Sequence, residues 1–142
     1  MNPFSNLPPL PSSPCVSLGP SSRHRRHTQP PRRQQDLFIR HGENTPGLDA
    51  PGQQRAACLA KLFPSYNLNN LFCPDYNKNT QAHERACLTL TPLSKKINVP
   101  LDHPFATDDA HGIAGAIKKA ATKGNVLVAW EHKDLADIVG PR

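Results

Sequence analysis

The sequence predicts an α/β domain built on a mainly parallel sheet and preceded by a long tail that has no core of its own. Three observations carry this. From Asp36 onward, short apolar runs alternate with helix-like segments, the order of βαβ units. The strongest run, Val126 to Trp130, is apolar on both faces, as a central parallel strand is. Residues 1–35, by contrast, hold half of the chain's sixteen prolines, many serines and no acidic residue. Such a composition cannot bury enough apolar surface to offset chain entropy. The expected division is therefore a disordered tail, 1–35, and one folded domain, 36–142, of single-core size.

Within the domain, Leu37, Phe38 and Ile39 form a short buried strand. Gly47 and the pair Pro51-Gly52 mark a loop. Gln53 to Leu62 then has helical spacing, with Ala56, Leu59 and Ala60 on one face and Pro64 as its stop. Leu71, Phe72 and Cys73 make a second strand ended by Pro74, and a polar loop leads to a helix over about His83 to Lys96, where Pro92 marks a kink or a restart. Val99 to Leu101 is a third strand. Asp108 or Asp109 caps a helix reaching about Ala121, with Ile113, Ala116, Ile117 and Ala120 on one face. Gly124-Asn125 turns the chain into the central strand, and Leu135 to Val139 begins a last helix cut off by Gly140-Pro141.

Charge narrows the classes of partner. The tail carries five arginines and no carboxylate, which is +5 of the formal net +6, so the domain itself is nearly neutral. Nucleic acid is not an expected partner on that balance. The longest apolar run is far too short to span a membrane, and no secretory leader is visible, so a cytoplasmic, non-membrane protein is expected. The tail's arginines and serines suit organelle targeting, but its prolines oppose the amphipathic helix that targeting uses. Cys15, Cys58, Cys73 and Cys87 lack Cys-x-x-Cys spacing and are expected to be reduced. The seven histidines show no metal-ligand spacing in the foldable part, so no metal and no cofactor are expected.

Ligands of open α/β sheets bind at the carboxyl ends of the strands, so residues placed there bear the chemistry. Arg40, His41, Gly42 and Glu43 follow the first strand, and Glu131 and His132 follow the central one. Phosphoryl transfer needs a nucleophile, cations for the phosphate oxygens and an acid for the leaving oxygen. A neutral imidazole can attack, arginines fork onto phosphate, and Gly42 allows close approach of backbone to an anion.

The segment Leu37 to Glu43, with its Arg-His-Gly-Glu, resembles the nucleophile strand of the histidine phosphatase superfamily. Gly47, Leu48, Gly52, Arg55 and Ala56 resemble the segment that follows it, and Arg85, Ala86, Thr89, Pro92 and Leu93 resemble that family's Arg-Ala-x-x-Thr-x-x-Pro-Leu helix. The strand ending at Trp130 and followed by His132 stands where the family has its second histidine, although Glu131 and Lys133 depart from the small residue and glycine usual there. The resemblance spans residues 37–139. It implies a three-layer sandwich of phosphoglycerate mutase-like type, His41 as the phosphohistidine nucleophile, and Arg40, Arg85 and His132 as phosphate ligands. The general acid is implied less directly. Asp108 and Asp109 hold a suitable position between the two halves, Asp134 falls one residue late for the alternative position after the second histidine, and Glu43 is read as an orienting residue.

The expected activity is hydrolysis of a small phosphomonoester, with mutase chemistry disfavoured because no retention residues for a phosphorylated sugar acid are identifiable. The competing expectation is a catalytically inactive relative that binds phosphate or a protein partner. The family normally continues past the second-histidine helix with a further strand, so a C-terminally truncated domain is expected. The sequence specifies neither substrate nor oligomeric state.

Overall fold

A computed structural model of the chain describes residues 34–40 and 47–140. The elements in order are β1 (Asp36–Arg40), α1 (Ala50–Leu62), a 3-10 turn (Phe63–Tyr66), β2 (Leu68–Phe72), α2 (Glu84–Ile97), β3 (Leu101–Asp102), α3 (Ala110–Ala121), β4 (Asn125–Trp130) and α4 (His132–Val139). The four strands form one sheet in the order β1-β4-β2-β3, and every pairing is parallel. This is the α/β architecture that the alternating pattern predicts.

Local chemistry explains the boundaries. Helix α1 starts at Ala50 rather than Gln53 because Asp49 caps it, its carboxylate accepting from the Gly52 amide at 2.7 Å, with a proline in the first turn. Helix α2 runs unbroken through Pro92, so the proline does not restart it. The hydroxyls of Thr89 and Thr91 donate to the carbonyls of Arg85 and Cys87, each at 2.8 Å. Asn67 and Asn98 end their helical segments in the left-handed region, which asparagine tolerates better than most residues. Helix α4 begins at His132, a turn earlier than its apolar residues indicate.

Alternation along β4 divides the core between the two faces of the sheet. Leu127 and Ala129 pack with Ala60 of α1 and with Ala86, Leu90 and Leu93 of α2. Val126, Val128 and Trp130 pack with Ile113, Ile117 and Ala120 of α3 and Ile138 of α4. Helices thus cover both faces, giving three layers. Residues Val126 to Trp130 are all fully buried, as the two-sided apolar run requires. Truncating Trp130 to alanine in such a site costs roughly 3–5 kcal/mol.

One expectation changes. Cys73 and Cys87 are joined in a disulfide, and Cys58 is also disulfide-bonded, so these cysteines are not the reduced thiols that their spacing suggests. The reason lies in the fold: the residue after β2 and the first turn of α2 come together at a Cα separation of 5.2 Å, within disulfide reach although fourteen residues apart in sequence. The expected tail mostly lies outside the described residues. Its last two residues are seen, however, and they already touch the domain. The Gln35 amide donates to the Asn125 side chain, Val126 donates to the Gln35 carbonyl, and the Gln34 side chain donates to the Thr122 carbonyl. Among the described residues, no helix is long and apolar enough to cross a membrane.

Candidate functional site

Parallel pairing brings the chemistry-bearing residues to one edge. Arg40 is the last residue of β1 and lies in register with Trp130 of the adjacent β4. His132 begins α4 two residues beyond Trp130. His41 and Glu43 lie outside the described residues, but His41 is the residue covalently following Arg40. Arg85 is the second residue of α2 and is partly buried, whereas Arg40 and His132 are exposed.

One tie draws Arg85's end of α2 toward β4, and the same carboxylate also meets a lysine of α4. The His83 Nδ1 lies 2.6 Å from an Oε of Glu131, the residue between β4 and His132. The Lys133 Nζ stands 3.8 Å from the other Glu131 oxygen. His83 itself sits in the left-handed region at φ 64°, an uncommon conformation for a non-glycine residue, and its side chain makes no cap bond to α2. A residue held in a sparsely populated conformation at the mouth of a site is a functional candidate. In the sequence, His83 marks no more than the approximate start of a helix. Its pairing with Glu131 spans forty-eight positions and leaves no periodic or motif signal that could reveal it.

A cavity of about 490 Å³ opens beside these groups at the carboxyl ends of β2 and β4. Asp75, His83, Thr107, Asp108, Lys133 and Asp134 are among the residues that line it. The loop before α3 is fixed from both sides, because the Trp130 indole donates to the Thr107 carbonyl at 2.8 Å and the Asp75 amide donates to the Phe105 carbonyl at 2.7 Å.

That loop separates the two acid candidates. The Asp109 carboxylate caps α3, accepting from the Gly112 amide at 2.9 Å. Gly112 is required there, since a Cβ on it would stand 2.3 Å from the Asp109 carboxylate and 2.7 Å from the Phe105 ring. Asp108 is exposed and lines the cavity. Asp134, in the first turn of α4, also lines it and has a buried carboxylate oxygen with no hydrogen-bond partner.

The chain matches no protein-family model and no curated protein. Any functional reading of the site rests on its own residues.

Among the described residues, no group of three or more His, Cys, Asp or Glu side chains is arranged to hold a metal ion. What the edge offers is cationic and imidazole groups at the ends of β1, β4 and the start of α2, with a carboxylate-lined cavity next to them. Such an arrangement can hold an anion at one end and protonate or orient a bound group at the other.

Proposed function

We propose that the chain is a phosphatase of histidine phosphatase type, with a phosphoglycerate mutase-like fold, that hydrolyses a small phosphomonoester through a phosphohistidine on His41. The observation that carries the reading is the register of Arg40 with Trp130 on neighbouring parallel strands. The ends of β1 and β4 therefore share one carboxyl edge of the sheet, and the sequence puts a histidine one residue after the first and two residues after the second. Arg85 stands at the start of α2, two residues after His83, which is bound to Glu131, and this supports giving it a place in the same pocket.

In the proposed reaction an imidazole nitrogen of His41 attacks phosphorus and the bond from phosphorus to the ester oxygen breaks. Arg40, Arg85 and His132 donate to the non-bridging oxygens as charge shifts. Asp108, as the carboxylic acid, gives its proton to the leaving oxygen, so the alcohol departs neutral. Its carboxylate then takes a proton from water as that water attacks phosphorus. The phosphorus–nitrogen bond breaks, inorganic phosphate forms and His41 is restored. Asp108 is assigned this role ahead of Asp109, whose carboxylate accepts the Gly112 amide as the cap of α3.

The test is steady-state hydrolysis of an aryl phosphate by the full chain beside Arg40→Ala and His132→Ala. Each substitution removes one oxygen ligand and is expected to lower kcat by roughly a hundredfold or more. Wild-type turnover that both variants retain in full would refute this assignment of the phosphate pocket.

A further inference from the structure

Helices α2 and α4 both start without a side-chain cap. His83 and Glu131 hold the two N-cap positions, where a side-chain oxygen ordinarily accepts a free amide of the helix's first turn, and neither side chain makes that bond. Each is turned to the other instead. The His83 Nδ1 donates to the Glu131 carboxylate at 2.6 Å, across forty-eight positions of the chain. The backbone of His83 is held meanwhile at φ 64°, in the left-handed region that a residue with a Cβ adopts at a cost.

Local stability does not account for this arrangement. Two caps are forgone and one residue is strained, while a pair whose histidine is 44% exposed gives little in return. Lys133, 3.8 Å from the other Glu131 oxygen and well exposed, adds only a weak restraint on the same carboxylate. What the contact does fix is the spacing of two helix starts. Glu131 directly precedes His132, the first residue of α4, and His83 lies two residues before Arg85, in the first turn of α2. Arg85 and His132 are both phosphate ligands in the proposed reaction.

We infer that His83 and Glu131 are a positioning pair, whose hydrogen bond holds Arg85 and His132 at the separation at which both reach non-bridging oxygens of one phosphoryl group. The two residues touch no reacting atom and act through the ligands beside them. The inference rests on the phosphatase reading and adds to it two residues that the sequence pattern does not assign. Ligands carried on separate helices act together only while the helix starts stay in place, and a displacement of about 1 Å is enough to lose much of a transition-state contact.

The full chain and its variants are assayed on an aryl phosphate, with chemical denaturation of each alongside. Glycine adopts φ 64° freely, so His83→Gly removes the hydrogen bond while its relief of the backbone offsets the greater freedom of glycine in the unfolded chain. Expected is a chain of nearly native stability whose kcat/KM is lowered roughly tenfold to a hundredfold. His83→Asn keeps a donor in nearly the same place and tolerates a left-handed backbone, so it should restore most of the loss. Glu131→Ala should cost the same factor as His83→Gly, and the two together no more than either alone. Unchanged kcat/KM in His83→Gly, a loss matched by loss of folded protein, an asparagine no better than glycine, or losses that multiply in the double variant each overturn the inference and leave the phosphatase reading intact. If the native chain turns over no ester, that reading fails, and the pair is judged by inorganic phosphate, its binding followed through amide resonances. A Kd weakened about tenfold in His83→Gly and restored in His83→Asn then supports the pair, whereas an equal Kd or no binding overturns it.

Discussion

Arg85 illustrates how little a single residue type says until its position is fixed. On a helix surface it would be one more solvated cation. At the start of α2, two residues from a histidine bound to Glu131, it is the arginine that the proposed reaction assigns to phosphate. Its planar fork suits two phosphate oxygens at once, which an ammonium cannot match. Arg85→Ala is therefore expected to lower kcat by roughly 10²–10³, and Arg85→Lys to recover only part of the loss. Steady-state kinetics on an aryl phosphate checks both. Asp108 and Asp109 make the complementary case, since the proposed mechanism gives adjacent carboxylates different work. Asp108→Asn should slow hydrolysis of alkyl esters by about 10²–10⁴ and of aryl esters far less, because an aryl oxide leaves without needing the proton. Asp109→Ala should instead cost about 1 kcal/mol of stability through loss of the α3 cap, read by chemical denaturation. Equal effects on alkyl and aryl esters for Asp108→Asn would remove it from the acid role.

At the scale of elements, periodicity made most of the fold legible. The two-sided apolar run of β4, the Ile113, Ile117 and Ala120 face of α3 and the Ala56 and Ala60 face of α1 all stand where their spacing puts them. Boundaries were less legible, because capping by Asp49 and the polar first turn of α4 add residues that carry no hydrophobic signal. The disulfide was not legible at all. Fourteen residues separate Cys73 from Cys87, and only the return of the chain from the end of β2 to the start of α2 brings them together. That covalent link closes the loop that contributes Asp75 and His83 to the cavity and borders Arg85. A loop of this size implies about 3 kcal/mol of stabilisation from restricting the unfolded chain. The double substitution Cys73→Ala and Cys87→Ala should lose about that much in denaturant titrations. It should also raise KM more than it lowers kcat, because the loop then holds the cavity wall less firmly. A variant as stable as the native chain would show that the link does not constrain this loop.

For the whole molecule, the sheet order β1-β4-β2-β3 sets the ends of β1, β4 and β2 next to one another, and the proposed site draws on segments from position 40 to position 134. The ends of β1 and β4, after which the sequence pattern places its histidines, lie side by side because the two strands are neighbours and parallel. The cavity had no signature in the chain, since its carboxylates come from two separate loops and the start of α4, with no shared spacing. The competing possibility, a binding protein without turnover, predicts stabilisation by inorganic phosphate, about 2.7 kcal/mol at a hundredfold excess over Kd, with no hydrolysis. The most direct discrimination is an acid-labile intermediate. The full chain is mixed with a phosphate ester, quenched in alkali within the first turnovers and digested for mass spectrometry. The account predicts a phosphoryl group on the peptide containing His41, absent from His41→Ala together with all turnover. Hydrolysis that proceeds in His41→Ala, or a phosphoryl group carried on a different residue, would contradict it.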